Sequence, residues 1–517
     1  MHTARYTRSR RALLGAGAAT LATLAAVRLP LAGRSAVGQE ALAPTLTIDL
    51  TSEPATLDPA VTYEIDGWSV VHSIYDAPVQ LGPGGTLEMV AAESLEQVDP
   101  LTWELKLKPG ITFHNGEPLD ASSVTFSIEH IKNPDTASQI AGNFAVIDSV
   151  EEVDELTAKL HLAAPAPWLP SQLAPWLALL PPKYAGDPAN DFALNPVGTG
   201  PYVFQGWERG SSIALARNAE YFGGDAKGTP VADAVTFRFV QDGTTRVADL
   251  ISGTSQIIAG VPFDQVPEVE SSATMQAVPI AGCAFVRVPN DVEPFTDARV
   301  RKALNHAVDV DGIIASLLGG HGQRLANFFV PDGIGYNPEL APHAYDPDLA
   351  KSLLAEAGYP DGFQTSMAIS TLDRMDLGQA IAGQLGAVGI QTELQTVEIA
   401  TFNGQWKDSE AAPLRLVSWR PMIDPYTLLA LVVSSSGFLS RYNDPDAQRL
   451  IDAAAIEPDA VKRDELYEQL GEVLFESPAG IYLWNRTAFY GSAADAPAWT
   501  PRPDEWLLPL HADAAEG

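Results

Sequence analysis

One stretch near residue 420 combines side chains that suit the binding of a small polar ligand. The pattern of Leu414–Trp419 predicts a buried strand, whose end carries Trp419 and Arg420. An indole gives a flat apolar wall, and a guanidinium holds a carboxylate or phosphonate through two parallel hydrogen bonds unless it faces solvent. Asp424, before Pro425, either contacts the ligand or caps the helix that is predicted to follow. The chemistry predicted here is hydrogen bonding and burial.

A second set of candidates lies in the loop Thr51–Asp66. The alternating residues Thr45–Leu50 predict the first strand, and two pairs of an acidic residue and a proline stop helix and sheet alike after it. Loops that leave strand ends in α/β domains commonly carry ligand sites. Tyr63 and Glu64 are therefore predicted to be site residues; the alternative is a surface loop with one packed tyrosine.

Motifs that would indicate an enzyme are absent from the sequence. There is no G-x-S-x-G, no H-E-x-x-H, no P-loop and no G-x-G-x-x-G after a strand. His114 has no second ligand at metal-binding spacing, and the lone cysteine, Cys283, excludes an internal disulfide, a thiolate zinc site and an iron–sulfur cluster. The sequence thus predicts no enzymatic activity, no metal and no cofactor, although a carboxylate pair formed only by folding is invisible at this level. The absence of repeats disfavours a purely structural protein.

Length and charge restrict the class of protein further. A chain of 517 residues is long enough for two or three domains, and 46% hydrophobic residues are typical of a globular protein. The formal net charge of −33 argues against nucleic acid and anionic membranes as partners, because both would repel the chain.

The N-terminal segment predicts export. Residues 1–38 contain six arginines and no acidic residue, and Ser9-Arg10-Arg11-Ala12-Leu13-Leu14 is a twin-arginine pattern ahead of a short, weakly apolar run. Small residues at Ala36 and Gly38 predict cleavage before Gln39, which would take the net charge from −33 to −39. An uncleaved membrane anchor is the alternative, and the segment has no cysteine for a lipid anchor. We expect a soluble periplasmic or extracytoplasmic protein that is not a lipoprotein.

A corner at Asn195–Tyr202 organises the elements between these sites. It packs two prolines and two glycines into eight residues, and the alternating residues that follow predict a hairpin over Tyr202–Arg217. We therefore expect the chain to return here from an inserted domain, with strands Leu101–Leu107 and Ile111–Gly116. Later in the chain, one apolar face predicts a long helix over Asp297–Leu318.

The corner and four other stretches resemble one family. Asn195–Phe204 is similar to a signature of the extracytoplasmic solute-binding proteins of the oligopeptide, dipeptide and nickel type, known as family 5. The other stretches that agree, in the same order, are Leu57–Ala60, Trp103–Glu117, Phe295–Asn305 and Asn443–Pro445. The resemblance implies an α/β, two-lobed periplasmic-binding-protein-like fold (type II, cluster C), with an inserted subdomain and a hinge between the lobes.

This resemblance also implies a domain division. Residues 1–38 are the signal peptide, 39–80 with 195–283 and 488–517 form a discontinuous lobe I, 81–194 form its inserted subdomain, and 284–487 form lobe II. The implied function is that of the substrate-binding component of an ABC importer. Such a protein closes around its ligand by hinge motion. The implied partners are the permease subunits and, indirectly, the ATPase, and we expect a monomer.

The resemblance leaves the ligand open. In peptide-binding relatives, the strand-end Trp is followed three residues later by an Asp that pairs with the α-ammonium of the ligand; here that position is Met422. A peptide or peptide-like solute remains the main expectation. A small carboxylated or metal-chelating organic ligand, as in nickel-type relatives, is the alternative, followed by an oligosaccharide.

Overall fold

Alternating apolar residues build one large mixed sheet that runs through the molecule. The structure is a computed structural model that describes residues 45–82, 85–420 and 424–511. Within these residues the sheet has eleven strands. From one edge to the other, the order is Ile390–Val397, Phe363–Ser370, Leu414–Ser418, Thr274–Arg287, Gly480–Ser492, Ile257–Ala259, Leu46–Leu50, Ala234–Phe239, Ser212–Arg217 and Tyr202–Glu208, with Gln323–Arg324 also paired to Gly480–Ser492.

Parallel strand pairs occur in both halves of this sheet. Leu46–Leu50 is parallel to both of its neighbours in one half, and Phe363–Ser370 is parallel to both of its neighbours in the other. Parallel strands need crossover connections, which helices commonly supply, so the class is α/β as expected. The helices run over Ile65–Ile74, Ala121–Lys132, Pro170–Trp176, Pro182–Ala185, Gly224–Lys227, Gly243–Ser252, Val266–Ser272, Ala298–Ala307, Val310–Leu317, Pro347–Glu356, Met375–Ala387, Ile399–Gly404, Tyr426–Leu428, Pro445–Ile456 and Ala460–Glu476, with a π-helical turn at Leu429–Val433.

Two long antiparallel strands, Thr274–Arg287 and Gly480–Ser492, join the two halves, and we call them the hinge strands. Ile280, Ala488 and Tyr490 pack into the hydrophobic core of one half, whereas Val286 and Ile481 pack into a core of the other. The pairing shifts register between Pro279 and Phe285. The molecule thus has two lobes that are linked where this pairing is irregular.

A smaller sheet lies between the first strand and the corner. Its four strands are antiparallel, in the order Ala92–Asp99, Thr102–Leu107, Thr157–Leu162 and Ile147–Glu152. The helix Ala121–Lys132 packs on it through Val124 and Ile128, and Asp120 caps this helix by accepting a hydrogen bond from the Ser122 amide at 3.0 Å. Two short pairs, Val79–Leu81 with Leu87–Met89 and Thr229–Pro230 with Leu510–His511, complete the sheets of the described residues.

The corner needs its glycines because it touches the end of the helix Ile65–Ile74. A Cβ at Gly198 would stand 2.2 Å from the Ile74 carbonyl oxygen, and one at Gly200 would stand 2.5 Å from the Ile74 carbonyl carbon. Between them, the Thr199 hydroxyl donates to the buried Asp76 carboxylate at 3.0 Å. Close approach of two backbones therefore explains the Gly-Thr-Gly sequence.

The structure corrects two predicted elements. Ile111–Gly116 is not a strand; it forms only one bridge, between Thr112 and Pro118, because a proline has no N–H with which to extend a ladder. The predicted helix Asp297–Leu318 is two helices that break at Val308. Asp309 then starts the second helix by accepting a hydrogen bond from the Gly312 amide at 2.9 Å.

Candidate functional site

A cavity with about 770 Å³ of empty space lies between the two lobes. The hinge strand Thr274–Arg287 contributes Ala281, the second lobe contributes Arg420 and Asp424, and the remaining walls come from the first lobe and the inserted segment. Those other lining residues are Ile65, Trp68, Gln80, Leu81, Ser171, Gln172, Ala174, Pro175, Trp176, Arg502, Asp504 and Trp506. A ligand in this cavity would touch both lobes.

Three tryptophans form the apolar wall. Trp68 is buried on the helix Ile65–Ile74, Trp176 ends the helix Pro170–Trp176, and Trp506 lies in the C-terminal segment. The Trp68 ring meets Trp176 edge-on at 4.9 Å and is stacked on Trp506 at 6.1 Å between centroids. The sequence analysis missed all three because they come from three distant segments, each unremarkable by itself.

Arg420 reaches across from the second lobe to the predicted loop. Its guanidinium carbon lies 3.8 Å from the centre of the Tyr63 ring, and Nη1 donates to the Tyr63 carbonyl oxygen at 3.5 Å. Burial lowers the pKa of Arg420 from its usual value, and the nearby Glu64 and Glu505 oppose that shift. Among the described residues, no carboxylate forms a salt bridge with Arg420.

Asp424 caps the following helix and also lines the cavity. One carboxylate oxygen accepts a hydrogen bond from the Tyr426 amide at 2.9 Å, as a helix cap does, and the residue also lines the cavity. Its other oxygen, Oδ2, is 3.5 Å from Nη2 of Arg463 and accepts no hydrogen bond from a described residue. Burial raises the pKa of Asp424, and Arg463 opposes that shift.

The acidic groups near the cavity have arginine partners close by. Arg502 Nη2 contacts Asp504 Oδ2 at 2.5 Å and Arg502 Nε contacts it at 2.9 Å. Arg486 Nη2 is 3.1 Å from Glu505 Oε1. Sequence reasoning missed these pairs, although the run of three charges within Arg502–Glu505 was a visible signal.

The other predicted site residues lie around this cavity rather than in its wall. Trp419 lines a separate apolar pocket of about 310 Å³, which shares Ala281 with the main cavity. Tyr63 lies under Arg420, and the exposed Glu64 accepts a hydrogen bond from the Tyr63 amide at 3.3 Å. Met422 lies outside the described residues.

The two lobes also touch beside the cavity. The rings of Trp168 and Tyr426 are stacked with centroids 4.0 Å apart and planes 12° apart. Next to them, the Thr427 hydroxyl donates to Gln172 Oε1 at 3.4 Å. We call these four residues the closing contact. It brings the inserted segment against the second lobe.

Across residues 45–82, 85–420 and 424–511, no helix has the length and apolarity to cross a membrane. In the same part of the chain, no group of three or more His, Cys, Asp or Glu residues is arranged to hold a metal ion.

Comparison with known proteins decides the family. Residues 86–440 match the model of the family described as bacterial extracellular solute-binding proteins, family 5 Middle. This chain belongs to that family. The glutathione-binding protein GsiB of Pectobacterium atrosepticum is 30% identical over 349 residues, which cover 66% of this chain and 67% of that protein. The predicted family is thereby confirmed, and the corner lies within the matched residues.

Solved structures show the same fold for this family 5 protein. HbpA2 from Haemophilus parasuis matches with a TM-score of 0.79 at 24% identity, over 90% of this chain and 99% of that one. The binding protein AgaA in complex with agropinic acid, from A. tumefacien R10, matches with a TM-score of 0.72 at 26% identity, over 87% and 94%. Family 5 members are transport binding proteins of the extracytoplasmic space, not enzymes.

Proposed function

We propose that this protein captures a peptide or peptide-like solute between its lobes and delivers it to the permease of an ABC importer. The observation that carries this proposal is the cavity, because its walls come from both lobes. A ligand bound there contacts both sides at once and therefore favours the closed arrangement over an open one. The permease subunits recognise the closed arrangement, and the ATPase acts through these subunits. The binding protein itself works as a monomer and binds no nucleic acid.

The lining of the cavity supports a peptide-like ligand. Apolar and aromatic walls that carry a limited set of polar groups are typical of sites for small molecules. Gln80, Ser171 and Gln172 offer neutral donors and acceptors that match amide groups. The relative GsiB is described as binding glutathione, which is a tripeptide.

A small carboxylated organic acid is the second candidate. Arg420 favours it, since a partly buried guanidinium without a salt-bridge partner among the described residues suits a ligand carboxylate. The solved structure of AgaA holds agropinic acid, which belongs to this class. With either candidate, Arg420 is proposed to bind a carboxylate group of the ligand.

Each predicted site residue has a proposed role. Arg420 and Asp424 line the cavity, and Trp419 provides the apolar side pocket. Tyr63 supports Arg420 from below, and Glu64 stands at the rim. Met422 belongs to the same segment and contributes no charge.

The packing supports the proposed domain division. One hydrophobic core draws mainly on residues between 79 and 179, a second on residues 46–75, 178–280 and 488–510, and two others on residues 283–484. These sets agree with the inserted subdomain (81–194), lobe I (39–80, 195–283, 488–517) and lobe II (284–487), except that Ala178, Leu180 and Ala185 of the inserted subdomain pack into the core of lobe I. The twin-arginine signal of residues 1–38, which lies outside the described residues, is the proposed export route.

Native mass spectrometry of the protein, gently purified from its own cell envelope, tests the ligand. A co-purified mass that fragments as a short peptide would support the main proposal. A small organic acid would favour the second candidate, and a sugar or a metal chelate would contradict both. For protein isolated without a ligand, a thermal-shift screen with these four classes identifies the binder by the rise in melting temperature.

A further inference from the structure

The charges that line the cavity do not balance. Four charged side chains face it: Arg420, Asp424, Arg502 and Asp504. Asp504 is held by Arg502 through contacts of 2.5 and 2.9 Å, so this pair is neutral overall. Asp424 is compensated by Arg463, which stands 3.5 Å away in the protein interior. The three residues between Arg420 and Asp424 are Pro421, Met422 and Ile423, and their side chains carry no charge.

Arg420 is therefore the uncompensated charge of the cavity. Its polar contact among the described residues is a carbonyl oxygen at 3.5 Å, and its flat face rests on the Tyr63 ring. This guanidinium is partly buried and has no carboxylate within salt-bridge distance among the described residues, because Glu64 and Glu505 act on it only from farther away. Partial loss of solvation makes its charge costly until an anion pairs with it. A ligand carboxylate supplies that anion and matches the fork of donors that the guanidinium presents.

The same charge pattern disfavours recognition of an ammonium group. A cation that approached Asp424 would also meet the positive charge of Arg463, so attraction and repulsion nearly cancel. Burial further stabilises the neutral form of Asp424. Glu505 is held by Arg486 at 3.1 Å, and Glu64 is an exposed residue outside the cavity wall, where solvent screens its charge.

We infer that Arg420 selects the ligand by its carboxylate and that no free amino group is needed, so N-acylated peptides and N-acyl amino acids belong to the substrate class. This inference rests on the proposed function, because it concerns the ligand of the same cavity. It also gives a physical reason why an uncharged methionine is acceptable at position 422. The amino group of the ligand needs no acidic side chain at this position.

The test uses one tripeptide with a central phenylalanine, Ala-Phe-Ala, in four forms. These are the free peptide, the N-acetylated acid, the C-terminal amide with a free amine, and the peptide blocked at both ends. Isothermal titration with the mature protein should give dissociation constants within about threefold for the two acids. Each amide should bind at least about tenfold more weakly than its acid, or about 1.4 kcal/mol. An N-acetylated acid that binds tenfold more weakly than the free peptide would overturn the inference.

Variants show which side chain causes the difference in affinity between the acid and the amide. Arg420→Gln should remove the difference between acid and amide, whereas Arg420→Lys, which keeps the charge but not the fork, should retain a reduced difference. Asp424→Asn should leave the ratio between the free and N-acetylated acids unchanged. If acetylation weakens binding and Glu64→Gln abolishes that effect, the amine is recognised at the rim and the inference is wrong.

Failure of this inference and failure of the proposed function give different results in these titrations. Thermal melts first establish that each variant is folded, and the ratios between ligand forms are then compared within one variant, so a general loss of affinity cancels. Binding of all four forms with the same affinity would contradict the role of Arg420 while leaving peptide capture intact. Binding of none of them to folded wild-type protein would contradict the proposed function and this inference with it.

Discussion

The stacked rings of Trp168 and Tyr426 should stabilise the closed arrangement without touching the ligand. Neither residue lines the cavity, yet their ring centroids are 4.0 Å apart across the two lobes. Removing the stack should therefore raise the dissociation constant of every ligand by one common factor. If the ligand binds tightly only to the closed arrangement, its apparent dissociation constant rises as the closed fraction of the free protein falls.

The expected magnitude follows from the ring geometry. Well-placed aromatic pairs contribute about 0.5–1.5 kcal/mol beyond the area that they bury. This free energy corresponds to a rise in the dissociation constant by a factor of roughly 2 to 12, and the middle of the range corresponds to about fivefold. Trp168 is also part of the core of the inserted segment, so its replacement alone would mix stability with closure.

A double-mutant cycle separates these effects. Trp168→Leu, Tyr426→Leu and the double variant are titrated with one ligand, and the coupling energy isolates the contact between the rings. Tyr345→Leu is the matched control, because this tyrosine belongs to the same lobe and is 44% exposed. Small-angle X-ray scattering of the free protein should show a larger radius of gyration for the double variant than for the control.

Two results would refute this reasoning. A coupling energy near zero would mean that the stack does not favour closure. Losses that differ between chemically unlike ligands would mean that the rings contact the ligand directly.

The packing of the fold supports three further predictions. Gly200→Ala places a methyl group 2.5 Å from the backbone of the neighbouring helix and should lower the free energy of unfolding by about 1–3 kcal/mol. In the control Gly206→Ala, the new methyl group meets no atom within 4 Å, so this variant should lose little stability. Urea melts of the two variants measure the difference. Lys227→Met leaves a buried carboxylate without its cation and should cost about 3–5 kcal/mol. The control Lys106→Met breaks an exposed, solvent-screened pair and should change the stability little. Burial raises the pKa of Asp49 to about 6 from 3.8, so the folded state holds a proton that the unfolded state releases; this contribution to stability is full below pH 3.8 and is lost as the pH rises towards 6. Asp49→Asn should therefore raise the melting temperature relative to the wild type more at pH 7 than at pH 4.

Each of these predictions has a result that contradicts it. Equal losses for the two glycine variants would show that close approach is not the reason for glycine in the corner. A mild effect of Lys227→Met would mean that its partner carboxylate becomes protonated or hydrated at little cost. For Asp49→Asn, a gain in melting temperature that does not change with pH would contradict the raised pKa.

Elements whose signals are local were predicted well. The hairpin predicted over Tyr202–Arg217 forms as Tyr202–Glu208 and Ser212–Arg217, because alternation and a Gly-containing turn act within a few residues. Asp120 starts its helix as expected for the same reason. The prediction for Asp297–Leu318 was wrong because the apolar face continues through Val308, while the cap of Asp309 restarts the helix there.

The candidate site was predicted only in part. Arg420 and Asp424 were found because they follow a recognisable strand and precede a proline. Residues such as Trp68 and Trp176 line the same cavity, but nothing in their own segments distinguishes them from core or surface residues.

The family, the α/β class and the arginine at a strand end could be predicted from the sequence, because these depend on local patterns of residue type. The charge of the site became visible only in the folded chain. Whether a carboxylate is free to bind a ligand depends on whether an arginine stands beside it, as Arg463 does for Asp424 and Arg502 does for Asp504. Coulomb interactions follow distance in space rather than separation along the chain, so the one unpaired cation, among the residues that the structure describes in this cavity, could be recognised only after folding had paired the others.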